Sequence, residues 1–140
     1  MRHAKAAPAS IDGNDFERPL TAAGRTAAAQ AARQLAGVHI ARLLYSPARR
    51  TQETAAIVAA QLQLDAALLQ AVPELYLATP AAIRAAVRAH RGAASHVLII
   101  GHNPGLSELG GELGERYADR HLATAGVWRL PMDATGWRAL

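Results

Sequence analysis

A chain of 140 residues is sized for one compact domain, residues 1–140, and is long enough to bury a core without covalent staples. It is 51% hydrophobic but only 4% aromatic and has no cysteine, so the core must come from Leu, Val, Ile and Ala, and neither a disulfide nor a thiolate-bound metal can form. The net charge of +4 rests on arginine, Lys5 being the sole lysine; without a basic run or interleaved aromatics these arginines argue against a nucleic-acid surface, and no run approaches the ~18 apolar residues of a membrane span or resembles a signal peptide.

Residues 5–19 read as a loop broken by Pro8, Gly13 and Pro19. From Thr21 to Ala36 the chain is alanine-rich, with charged and amide residues to one side and Gly37 after it, the pattern of a helix with a glycine stop. Ile40, Leu43, Leu44 and Tyr45 form a short apolar run ending at Ser46-Pro47, a buried strand. A second helix is predicted from Pro47 to Leu62, because proline is tolerated in a first turn. Leu68 to Val72 reads as a short strand or an extended segment. Pro80 to His90 is a third helix, and Val97 to Ile100 the clearest buried strand. Asn103-Pro104-Gly105 opens a helix that continues to Tyr117. Gly126 to Leu130 reads as a last strand near a sheet edge, since Pro131 stops it. With no repeat or linker to divide it, this alternation predicts an α/β domain with a mainly parallel sheet. Such a domain calls for a strand before the first loop, yet Met1 stands directly ahead of Arg2-His3.

The polar residues follow the strands. Ser46 to Arg50 comes after the strand ending at Tyr45, and Gly101-His102-Asn103 after the strand ending at Ile100. In an open parallel sheet, ligands bind beyond the carboxyl ends of the strands. His3, His102, Arg2 and Arg50 would converge there, and so many basic groups crowd together at low cost only around an anion. A phosphoryl group fits: guanidinium forks take its oxygens, and one imidazole can attack phosphorus in line.

In order and spacing these segments resemble a known family. Arg2-His3-Ala4 resembles the RHG/RHA opening of the histidine phosphatase superfamily, also called phosphoglycerate mutase-like. Asp15 to Gly24 looks like its D-x-x-R-P-L-T-x-x-G segment, and Ser46 to Ala55 like S-P-x-x-R-[AT]-x-Q-T-A. Val97 to Leu106 looks like V-L-[IV]-[IV]-G-H-N-P-G-L, and the whole is similar to the SixA-like branch of small phosphohistidine phosphatases from residue 2 to about residue 130. The resemblance implies a three-layer α/β/α fold. It makes His3 the phosphorylated nucleophile and assigns the phosphate pocket to Arg2, Arg50 and His102. It makes Glu74 the acid for the leaving group and gives substrate contacts to Arg18 and Asn103. It implies no metal and no organic cofactor, in keeping with the absence of HExxH, P-loop and G-x-S-x-G motifs. Relatives carry a short apolar strand before the signature, so the first strand is expected to be truncated here, by a start codon placed too far downstream.

The expected activity is hydrolysis of a phosphoryl group through phospho-His3. The segment from 55 to 96 is too short for a lid over a small metabolite, so the expected substrate is a protein phosphohistidine, as on a histidine-phosphotransfer domain. A phosphatase for small phosphoesters is the alternative enzyme. A non-catalytic phosphate or phosphoprotein binder is the alternative outside enzymes, if the missing strand is real. A soluble cytoplasmic monomer, without nucleic-acid or membrane partners, completes the expectation.

Overall fold

The computed structural model describes residues 1–9, 11, 13–133, 136 and 140. Thr21 opens helix α1 (Ala22–Arg33), its hydroxyl accepting from the Gly24 amide at 2.9 Å and satisfying a first-turn donor. The helix stops short of the expected Ala36: Leu35 turns into the core and Gly37 takes a φ of +79°. Helix α2 (Arg49–Leu62) starts two residues later than expected, because Pro47 and Ala48 form the lead-in and the Arg49 amide bonds to the Phe16 carbonyl at 2.9 Å. Thr79 caps α3 (Pro80–His90), which has the predicted bounds. Helix α4 (Gly105–Leu113) opens at Gly105 rather than Asn103 and ends well before Tyr117. Gly110, Gly111 and Gly114 weaken its end, and Glu115–Tyr117 continues as a single tight turn. Gly110 is also required by packing, since a Cβ there would meet the Trp128 ring at 2.4 Å.

Strand β1 (Arg42–Tyr45) is central, with β2 (Leu69–Ala71) on one side and β3 (Val97–Ile100) on the other, all parallel. Successive side chains point to opposite faces. Leu43 therefore packs with Ala28, Ala32, Ala55 and Val58 of α1 and α2. Its neighbour Leu44 packs with Ile83, Val87, Leu106 and Leu109 of α3 and α4. The result is the expected three-layer α/β/α arrangement, with a helix pair on each face. No helix among the described residues is long and apolar enough to cross a membrane.

The edge beyond β3 departs from expectation. The Met1 amine donates to the Ile99 carbonyl at 2.8 Å, the Gly101 amide to the Met1 carbonyl at 3.2 Å, and the His3 amide to the Gly101 carbonyl at 3.1 Å. On their other side, the Arg2 amide bonds to the Gly126 carbonyl and the Ala125 amide to the His3 carbonyl, both at 3.1 Å. Residues 1–3 thus hold the sheet position expected of a first strand and fix the backbone of His3 from both sides. Next to Met1 lies a cavity of about 1040 Å³, whose walls include Val97 and Ile99 of β3 and Val127, Trp128 and Leu130. The segment 126–130 was expected to be a strand; its Gly126 carbonyl accepts from Arg2, but beyond that bond it forms no ladder among the described residues.

Candidate functional site

The pocket forms where the carboxyl ends of β1 and β3 meet residues 2–4 and the first turn of α2. His3 is buried, and its Nδ1 lies 2.8 Å from the Ala4 carbonyl. A carbonyl only accepts, so Nδ1 carries the proton and Nε2 the lone pair. The Ala4 amide in turn donates to Thr54 Oγ1 at 3.1 Å. Burial, followed by the charges of Arg50, Arg2 and Arg18, pushes His3 down to about 4, despite the opposing effect of its bond to Ala4. The imidazole is neutral at physiological pH, the form in which it is a nucleophile.

Arg50 sits in the first turn of α2 with its guanidinium at the centre of the pocket. Nε donates to His3 Nε2 at 3.3 Å and Nη1 to the Asp15 carbonyl at 2.7 Å. Nη2 reaches Asp15 Oδ2 at 3.0 Å and His102 Nδ1 at 3.2 Å. A guanidinium cannot accept, so His102 Nδ1 does, and the His102 proton lies on Nε2, 2.8 Å from the hydroxyl of buried Ser46. Burial, then Arg50 and His3, pushes His102 down to about 3. The two imidazole centroids are 5.3 Å apart.

Arg2 forms the adjacent wall, with Nη1 on the Leu122 carbonyl at 3.2 Å and on His121 Nε2 at 3.0 Å. Asn103 converges on the same acceptors: its Nδ2 is 2.8 Å from the Leu122 carbonyl and 3.4 Å from His121 Nε2. The buried Nε of Arg2 and Oδ1 of Asn103 have no hydrogen-bond partner among the described residues. Arg18 is linked through Asp15, its Nε lying 2.9 Å from Oδ1, with Nη1 on the Ala7 carbonyl at 3.0 Å. His3, His102 and Arg18 are thus joined through Arg50 and Asp15, while Arg2 and Asn103, the chain neighbours of His3 and His102, meet each other at His121 and the Leu122 carbonyl.

Glu74 is not tied to it. It is exposed on the short turn Pro73–Leu75, and no hydrogen bond or ion pair described for this chain connects it to the pocket. Two residues on, Tyr76 does reach the pocket. Its ring stands edge-on to His102 with centroids 5.5 Å apart, and its hydroxyl donates to Asp15 Oδ2 at 2.7 Å. The Tyr76 hydrogen bond, with Arg50 and Arg18, holds the Asp15 carboxyl down to about 2, so it is ionised. Asp15, Tyr76, Ser46, Thr54 and His121 are pocket residues that the sequence reading did not single out. Two had a usable signal: Asp15 opens the segment that ends in Arg18-Pro19-Leu20-Thr21, and Ser46 directly follows a strand. Among the described residues no cluster of three or more His, Asp or Glu side chains could hold a metal ion.

The arrangement combines a neutral, oriented imidazole with several guanidinium donors, which suits nucleophilic transfer of a tetrahedral anion. Comparison with known proteins points the same way. A family profile described as histidine phosphatase superfamily (branch 1) matches residues 1–121. The chain is similar to SixA of Nakamurella multipartitia, with 36% identity over 81% of its length and a TM-score of 0.68, and it spans 62% of that chain. It is similar to a protein histidine phosphatase SixA complexed with tungstate, with 32% identity over 81% of this chain and 73% of that one, at a TM-score of 0.71. SixA of Agrobacterium tumefaciens shares 26% identity over 89% of this chain and 84% of its own, at a TM-score of 0.76. No curated protein sequence matches significantly.

Proposed function

Because the chain belongs to the histidine phosphatase superfamily, branch 1, we propose that it is a phosphatase in which His3 is the nucleophile. The observation that carries this reading is the bond from His3 Nδ1 to the Ala4 carbonyl at 2.8 Å, which leaves the Nε2 lone pair for phosphorus. In the first step Nε2 attacks phosphorus in line and the bond from phosphorus to the leaving group breaks. Arg50 and Arg2 hold the equatorial oxygens and carry the charge spread over them. The leaving group departs with its electron pair and takes up a proton. Water then attacks phospho-His3, the N–P bond breaks, and inorganic phosphate and neutral His3 are regenerated. The unpaired donor of Arg2 supports the reading, since a buried N–H without an acceptor costs about 1–3 kcal/mol and a bound oxyanion would supply one.

The proposed substrate is a phosphohistidine carried by a protein; Asn103 completes the contacts to the phosphoryl oxygens, and His102 holds the Arg50 guanidinium beside them through its Nδ1. Two observations favour it over a small phosphoester. Of the similar SixA proteins, that of Nakamurella multipartitia is called a phosphohistidine phosphatase and the tungstate complex a protein histidine phosphatase. Glu74, the expected acid, is exposed and unconnected to the pocket, and an imidazole leaving group needs less help from an acid than an alkoxide does.

The test is phosphate release from a phosphorylated histidine-phosphotransfer domain and from a panel of sugar phosphates, with wild type and His3→Ala. Release from the protein substrate alone, abolished in His3→Ala, is the expected result. High turnover of one sugar phosphate with none of the phosphoprotein would transfer the function to small phosphoesters. Full activity in His3→Ala would remove the nucleophile.

A further inference from the structure

Arg50 and Asp15 are unequal partners. The arginine side chain is 2% exposed, while that of Asp15 is 42% exposed. Arg50 directs Nε at His3, Nη1 at the Asp15 carbonyl and Nη2 at Asp15 Oδ2 and His102. Arg18 directs Nε at Asp15 Oδ1 and Nη1 at the Ala7 carbonyl. A phosphoryl group on His3 Nε2 must therefore draw on guanidinium donors that already face a carboxylate.

Two anions in contact repel each other, so one guanidinium edge cannot serve both at close range. Exposure decides which side yields. Arg50 is packed in the first turn of α2 and is held by a backbone carbonyl as well as by the carboxylate. Asp15 lies on a loop two residues after Gly13, whose φ is +70°, and its side chain, on giving up the Tyr76 hydroxyl as well as the two guanidinium groups, can rotate into water and be hydrated there. The buried charge of Arg50 then finds its counter-charge in the phosphoryl group, so the guanidinium is not left uncompensated in either arrangement.

We propose that Asp15 is an internal competitor for the phosphoryl group: it occupies the guanidinium groups of Arg50 and Arg18, yields them as phosphoryl oxygens arrive, and reclaims them when inorganic phosphate leaves. The proposal rests on the reading of this pocket as a phosphoryl site. It makes Asp15 a positioning residue that sets anion affinity and speeds product release.

Calorimetric titration of inorganic phosphate into the full chain, and into Asp15→Asn and Asp15→Ala, tests it at low ionic strength. Asparagine keeps the shape and an acceptor oxygen but removes the charge. Both variants are expected to bind phosphate about fivefold or more tighter than wild type, with stronger product inhibition in steady-state turnover. If Asp15 only props Arg50 in place, both variants bind phosphate more weakly; that result, or unchanged affinity, overturns the proposal. A second measurement needs no substitution. With aspartate carboxyls labelled with carbon-13, the Asp15 resonance of the unaltered chain is expected to move to the position of a hydrated carboxylate as phosphate saturates the pocket. A resonance that stays fixed while phosphate binds overturns the proposal. A chain that binds no phosphate at all instead removes the anion pocket, and the competitor with it.

Discussion

The Nε of Arg50 donates to the Nε2 of His3 across 3.3 Å, so the atom proposed to attack phosphorus is held against a group proposed to bind its oxygens. Thr54 joins the two from behind. Its hydroxyl donates to the Arg50 carbonyl at 2.7 Å and accepts from the Ala4 amide at 3.1 Å. One turn of α2 thus sets the spacing between nucleophile and cation.

Replacing Arg50 by lysine removes the planar fork while keeping the charge. A point charge cannot reach His3, His102 and two Asp15 oxygens together, so kcat is expected to fall by roughly a hundredfold or more, as for the loss of a transition-state donor. The same drop is expected for His102→Ala. Steady-state turnover of the phosphoprotein checks both, and rates near wild type would count against the pocket.

Thr54→Val keeps the volume and removes both hydrogen bonds. The buried amide of Ala4 loses its acceptor, which costs about 1–3 kcal/mol. The midpoint of urea unfolding is expected to fall at unchanged slope. Because the amide next to His3 is released, kcat is expected to fall as well. A variant as stable as wild type would show that the Ala4 amide has another acceptor.

Acid should destabilise this fold over a wide range. Free histidine titrates near 6.5, whereas burial places His3 at about 4 and His102 at about 3. Between those limits the unfolded chain binds protons that the folded chain refuses, so the contribution of the two histidines is full above about 6.5 and declines as the pH falls toward 4. Burial also lowers the Met1 amine from 8.0 to about 5, which adds the same sign of dependence between pH 8 and 5. The Asp15 carboxyl, lowered from 3.8 to about 2, contributes stability above 3.8 that is lost as the pH falls through 2. All four groups act in one direction, so Tm should rise steadily from pH 4 to pH 8. A maximum near pH 5 would contradict these shifts.

The acid limb of the rate profile follows from the same groups. Neutral His3 is the reactive form, so kcat/KM is expected to stay level down to about pH 5 and to fall as the pH passes through about 4. A limb near 6.5 would mean that His3 is as hydrated as a free imidazole.

Much of the pocket was legible in the sequence, because a polar residue directly after a buried strand lands on the carboxyl rim of a parallel sheet. His3, Arg2, Arg50 and His102 were placed together by that rule, and the family resemblance assigned the role of nucleophile to His3. Asp15 escaped because a carboxylate three residues from an arginine reads as an ordinary surface pair, and only the fold brings Arg50 and Tyr76 to it. Tyr76 escaped because the short turn before it gives no periodic pattern to say which side chain faces inward. In the fold, the strands and helices with strong patterns appeared at or near their expected places. The end of α4 did not, since glycines cut short an apolar period that runs on in the sequence. Gly126 to Leu130 did not, because whether a β-prone segment becomes a strand depends on a partner that its own residues cannot supply.

The short ladder formed by Met1, Arg2 and His3 has a practical consequence. The amine that ends it is buried and donates to the Ile99 carbonyl, so a residue joined to that nitrogen would turn the charged donor into an amide against β3. A purification handle fused there becomes part of the anchor that aims the nucleophile. Kinetic constants measured with such a handle would then report on the handle's first few side chains as well as on the protein. The informative preparation carries its handle at the other terminus, and comparison of the two reads out how firmly the sheet edge holds His3.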